Sequence, residues 1–101
     1  MSAPDNLILS SEAVQAGLAE LDGWTLVDDG GTRLRKAFTF ADFPEAMAFM
    51  TRVAFSAERL NHHPNWSNVY NRVGVEIWAH DLGGVSKLCL ELARDMDAAA
   101  S

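Results

Sequence analysis

A chain of 101 residues with 49% hydrophobic side chains and no block of like charge holds material for one folded unit, residues 1–101, around one core. A formal charge of −6 and a pI near 4.8 repel phosphate backbones and anionic bilayers, which excludes nucleic acid and membrane as partners and favours a small or neutral ligand. Cys89 is the single cysteine and cannot close an internal disulfide, and Leu7-Ile8-Leu9 is too short for a signal core or a membrane span, so the expected compartment is cytoplasmic. A chain this short buries only about 60–65% of its unfolded surface, so association into a homodimer or homotetramer is expected to add stability.

In chain order, the first helix is read over Ser11–Leu21, with serines suited to capping and apolar residues at Val14, Leu18 and Leu21. Trp24 to Val27 and Thr32 to Phe40 read as a hairpin turning through Asp28-Asp29-Gly30-Gly31. Alternation puts Leu34, Lys36, Phe38 and Phe40 on one face and Arg33, Arg35 and Thr39 on the other. Asp42-Phe43-Pro44 opens a long helix with the apolar set Ala46, Met47, Met50, Val53, Ala54, Ala57 and Leu60. It ends near Asn61, because Pro64 disfavours helical geometry at His63.

A second strand pair follows, Asn65–Tyr70 and Val73–His80. Val73, Val75, Ile77 and Ala79 should face the helices, while Trp78 projects from the uncovered face; Trp24 is read as core. Gly83-Gly84 marks a turn, Ser86 an N-cap, and Leu88, Cys89, Leu92, Ala93 and Met96 the buried stripe of a closing helix whose tail, Ala98–Ser101, frays. The order αββαββα describes an α+β fold, a four-stranded antiparallel sheet with three helices on one face.

All three histidines fall between His62 and His80. Imidazoles titrate near pH ~6.5, so a cluster can hold a proton donor beside a neutral acceptor. Glu58, one turn before His62, and Asp81, next to His80, are the carboxylates in place to orient them. A lone histidine at a helix end more often caps carbonyls, but an adjacent pair before proline is an awkward choice for packing alone. Three imidazoles can also hold zinc. Adjacent side chains diverge, however, by about 100° on a helix and 180° on a strand, and the common zinc spacings are missing, so no metal and no other cofactor is expected. Trp66 can present its ring to a flat heterocycle, though packing explains it equally well.

The run Glu58-Arg59-Leu60-Asn61-His62-His63-Pro64-Asn65-Trp66-Ser67-Asn68-Val69-Tyr70-Asn71 and the later His80-Asp81-Leu82-Gly83-Gly84 resemble the pterin-4a-carbinolamine dehydratase family. Gly23-Trp24, Phe38-Thr39-Phe40, Asp42-Phe43 and Val53-Ala54 extend the resemblance across nearly the whole chain. It implies the αββαββα fold, dimers that continue the sheet between subunits, and tetramers built from them. It also implies a lyase that removes water from 4a-hydroxytetrahydrobiopterin, giving quinonoid dihydropterin in tetrahydrobiopterin recycling, with an aromatic amino-acid hydroxylase as functional partner.

By resemblance His62 and His80 act as acids toward the hydroxyl and His63 binds and removes a proton, with Glu58 orienting the histidines and Trp66 lining the ring's pocket. Glu58, Trp66 and Asp81 are the candidate substrate-binding residues. Two positions depart from the family pattern: Cys89 stands where aspartate is common, and Ala79 where threonine is usual. As residue N3 of the last helix, position 89 can serve either the cap or a histidine. The alternatives are a non-catalytic dimerisation or coactivator-type module of the same fold, and a dehydratase of another pterin such as a molybdopterin-related compound.

Overall fold

A computed structural model describes residues 7–28 and 30–101. Its elements are α1 (Ser11–Leu18), β1 (Thr25–Asp28), β2 (Thr32–Thr39), α2 (Phe43–Leu60), β3 (Asn65–Val69), β4 (Arg72–Ile77) and α3 (Lys87–Ala100). The antiparallel sheet runs β1-β2-β4-β3, so the two hairpins meet at its centre through β2 and β4. Helix α2 carries the chain from β2 over β4 to the edge strand β3. No helix among the described residues is long and apolar enough to cross a membrane.

The sheet obeys the expected alternation. Leu34, Phe38, Val73, Val75 and Ile77 are buried on the helix side, where they join Ala46, Phe49, Val53 and Ala57 of α2 and Cys89, Leu92, Ala93 and Met96 of α3 in one core. Lys36 lies on the same side of β2, and its ammonium reaches Asp97 of α3 at 2.8 Å, which also accepts from Trp24 Nε1 at 3.0 Å. A charge on the core face is tolerated because it is paired and still part-exposed. Trp24 is buried, as expected, and meets Phe38 edge to face.

Several boundaries differ from the sequence reading. Helix α1 ends at Leu18, not Leu21, because Glu20 and Leu21 donate to Gly17 and Leu18 in tighter three-residue turns. The stripe of α2 is centred on Phe49, whose ring packs on Phe38 at 4.7 Å and Phe40 at 5.0 Å, while Met47 and Ala54 face outward. Helix α3 does not fray at Ala98 but continues to Ala100, since Ala99 and Ala100 pack on the core and Arg52 donates to the Ala99 carbonyl. Of the expected first turn, Asp29 lies outside the described residues.

The Asn-Val-Tyr-Asn run has a structural explanation. Asn68 donates its amide to the carbonyls of Tyr70 and Arg72, which supports Tyr70 at φ 50° in the β3–β4 turn. Asn71 ties that turn to the end of β2: its side chain donates to the Phe40 carbonyl while its own carbonyl accepts from the Phe40 N–H, both at 2.8 Å.

Candidate active site

Three short segments converge below the C-terminal end of α2, and each is fixed by backbone chemistry. Asp42 caps the helix start by accepting from the Glu45 N–H at 3.0 Å. At the other end Asn61 takes the left-handed conformation, φ 50° and ψ 44°. Its N–H donates to the Glu58 carbonyl and that of His62 to the Ala57 carbonyl, the paired bonds of a Schellman closure. This closure reverses the chain within one residue and turns His62 inward, to 8% exposure. His63, next in line before Pro64, faces solvent. The adjacent pair therefore diverges, as neighbouring side chains must.

The third histidine is held by a loop, not by a strand. Strand β4 stops at Ile77, two residues short of Ala79 and three short of His80. Ala79 pairs with Gly84 in an isolated bridge, its N–H donating to the Gly84 carbonyl at 2.7 Å and its carbonyl accepting from Gly83 at 2.8 Å. Gly83 has φ +74°, and a side chain on Gly84 would run into Ile8 at 2.6 Å, so the two glycines shape the loop that carries His80 and Asp81.

The ring of His80 lies against Trp78 with centroids 4.4 Å apart. Trp78 is half-buried, not freely projecting, because the Arg33 guanidinium covers its ring at 4.1 Å. Arg33 and Arg35 both bind Glu76 on this outer face, and these two guanidinium groups hold the Glu76 carboxyl below the usual carboxylate range. The register of the hairpins predicts that cluster in hindsight, since 33 and 35 share a face with 76 and 78.

Each imidazole has a different partner. His63 Nε2 lies 2.7 Å from Glu58 Oε1, an exposed pair. Glu58 was expected to serve His62 from one turn before it, but His62 has turned away from that helix face. His62 Nε2 instead lies 3.1 Å from Cys89 Sγ, in the buried N-terminal turn of α3. The same sulfur accepts from the Ser86 N–H at 3.3 Å. Position 89 thus serves the helix start and a histidine together, where the sequence suggested one or the other.

Burial lowers the His62 pKa below 6.5, and the neighbouring His80 and His63 lower it further against a smaller opposing pull from Asp81. His80, His63 and Asp81 are thus all near enough to His62 to act on it electrostatically. The Cys89 thiol is pushed up, chiefly by burial, and so stays protonated at neutral pH. Trp66 is half-buried, packed on the core opposite Val75, and lines an open groove of about 770 Å³ with Pro64, Gly23, Lys36 and Glu76. None of the histidines lines that groove, which adjoins their corner only through the segment after His63. No trio of His, Cys, Asp or Glu among the described residues is arranged to hold a metal ion.

A stability consequence follows from His62. Its folded pKa lies below its unfolded one, so the unfolded chain binds the extra proton first, and stability falls as pH drops below about 6.5. The loss ends once pH passes below the folded pKa, while the Glu76 contribution is lost only lower, below about 4.5. Urea midpoints should decline between pH 7 and pH 5, and His62→Gln should flatten that decline; an equal slope in the variant would assign it elsewhere.

A model of the pterin 4 alpha carbinolamine dehydratase family matches residues 8–99. A Rhizobium johnstonii protein provisionally named a pterin-4-alpha-carbinolamine dehydratase is 50% identical over 93 residues, covering 92% of this chain and 91% of its own. One of the same provisional name from Bradyrhizobium sp. (strain ORS 278) is 52% identical over 93 residues, covering 92% of each chain. Among solved structures, a transcriptional coactivator/pterin dehydratase from Brucella melitensis superposes with a TM-score of 0.88 at 40% identity, covering 93% of this chain and 99% of its own. A pterin dehydratase-like protein described as a RuBisCO assembly factor in the alpha-carboxysome gives 0.66 at 25% identity, covering 78% and 90%. With its αββαββα order, its His-His-Pro corner and its glycine-shaped His80 loop, the chain belongs to the pterin-4a-carbinolamine dehydratase family.

Proposed function

We propose that the protein is a hydro-lyase that dehydrates a 4a-hydroxytetrahydropterin, with 4a-hydroxytetrahydrobiopterin as the substrate, through a histidine acid/base site that uses no metal. The observation that carries this reading is a buried His62 within electrostatic reach of His80, His63 and Asp81 in a chain of this family. Hydroxide is a poor leaving group. The C4a–O bond breaks as the oxygen takes a proton and departs as water, while a ring N–H gives its proton to a base. A solvent-facing histidine paired with a carboxylate, His63 with Glu58, suits binding and proton removal; His80, on its exposed loop, suits proton delivery. Asp81 orients the loop side, and Trp66 bounds the pterin ring's approach.

The biological setting consistent with this chemistry is return of the pterin to an aromatic amino-acid hydroxylase, by a homodimer or homotetramer. A second reading, a binding module of the same fold, is favoured by the coactivator and assembly-factor descriptions of the two structural neighbours. Rapid mixing of freshly generated 4a-hydroxytetrahydropterin with the protein separates the two. The dehydratase reading requires faster loss of the hydroxypterin, linear in protein and saturating in substrate; an unchanged rate with a folded protein supports the binding module.

Glu58 and His63 are 80% and 53% exposed in their side chains, so solvent screens their pairing. Exposed pairs contribute about 0.2–1 kcal/mol, which corresponds to at most about fivefold in rate. Glu58→Gln should therefore lower kcat/KM only a few-fold in steady-state assays. A loss of about 100-fold would make Glu58 itself a participant in proton transfer.

A further inference from the structure

The contact between His62 and Cys89 is the one feature of the cluster that acid/base chemistry by three histidines does not call for. Cys89 is fully buried, in the first turn of α3, and its sulfur touches both the Ser86 N–H and His62 Nε2. Among the described residues, the charged or titratable groups that act on His62 come from three elements: Cys89 from α3, His80 and Asp81 from the loop after β4, and His63 from its own corner, whose carboxylate partner Glu58 is turned to it and not to His62.

We propose that Cys89 is a positioning residue of the histidine site: its buried thiol orients the His62 ring and gives it no counter-charge, so His62 works as a neutral group and His80 supplies the proton. A neutral S–H is a weak donor and its sulfur a weak acceptor. Such a partner fixes which ring nitrogen carries hydrogen without favouring the imidazolium, whereas a carboxylate in the same place would favour the charged ring. The Ser86 N–H already donates to the sulfur, which holds the side chain at its present angle. Burial of the ring acts in the same direction by penalising its charged form.

The role of His80 in this statement rests on the dehydratase reading, while the state of His62 does not, and the test separates them. Imidazole carbon and nitrogen NMR signals, assigned with single His→Gln variants, are followed against pH in the wild type and in Cys89→Ala, Cys89→Ser and Cys89→Asp, with near-ultraviolet circular dichroism confirming folding. The wild type should show one His62 tautomer that titrates below 6.5. Cys89→Ala should blur the tautomer signature, Cys89→Ser should largely keep it, and Cys89→Asp should raise the His62 midpoint by about one pH unit or more.

In pH profiles of kcat/KM, Cys89→Asp should carry the acid-side limb upward by the same amount, because activity needs the neutral ring. A merely structural role would leave that limb in place. His62 signals that ignore position 89 in all folded variants would overturn the proposal. His62 signals that follow position 89 in a protein that does not accelerate dehydration would uphold the positioning role and remove the dehydratase reading instead.

Discussion

His63→Ala and His80→Ala should each lower kcat/KM for hydroxypterin dehydration by about 10² to 10⁴, the range a positioned acid or base contributes. Both residues are exposed, one at the corner after α2 and one on the loop after β4, so the folded state should survive either change. Far-ultraviolet circular dichroism and urea midpoints close to wild type would confirm that the loss is chemical. His62→Ala is a poorer probe by itself, because it empties a buried site against α3 and removes the partner of the Cys89 sulfur. If His63→Ala and His80→Ala both retained full activity, the proton transfers would have to be reassigned.

The largest structural effect is expected at Phe49. Its ring is 1% exposed and lies between Phe38 and Phe40 of β2, so it joins the long helix to the sheet. Phe49→Ala should cost about 3–5 kcal/mol through lost burial and an unfilled cavity. Against a usual total of about 5–15 kcal/mol this is severe, and it corresponds to a fall in Tm of about 12 °C or more. Phe55, on the same helix but 75% exposed in the isolated chain, supplies the control. Phe55→Ala should change stability by no more than about 0.5 kcal/mol unless that face is covered by another subunit.

The elements were legible because their signals are local. Alternation in β2 and β4 sets the buried face, and the Asp42 cap and the Asn61 reversal bound α2 at the expected places. Phe49 fits the stripe by spacing, three residues after Ala46 and four before Val53, whereas Met47 and Ala54 sit on the far side of the helix. The apolar residues are spread so widely around α2 that packing on Phe38 and Phe40 is what identifies Phe49 as the anchor. The three histidines were visible as a cluster, yet their partners were not. Glu58 serves His63 instead of His62 because the Schellman closure rotates the chain after Asn61, a left-handed step that sequence periodicity does not encode.

Cys89 illustrates the same limit. Its place on an apolar stripe is read correctly as burial, but the 27 residues separating it from His62 in sequence hide the contact that burial creates. The family's Asn-Val-Tyr-Asn run, adjoining the histidine corner in sequence, is accounted for by backbone hydrogen bonds in the β3–β4 turn and needs no role in chemistry.

The most direct measurement is stopped-flow dehydration of freshly generated 4a-hydroxytetrahydropterin in chelator-treated buffer, comparing wild type with the His62→Ala, His63→Ala double variant, both shown to be folded. Strong acceleration by the wild type and its collapse in the double variant is the predicted result. A folded wild type that leaves the spontaneous rate unchanged, or one that works only after zinc is restored, would contradict a metal-free histidine lyase.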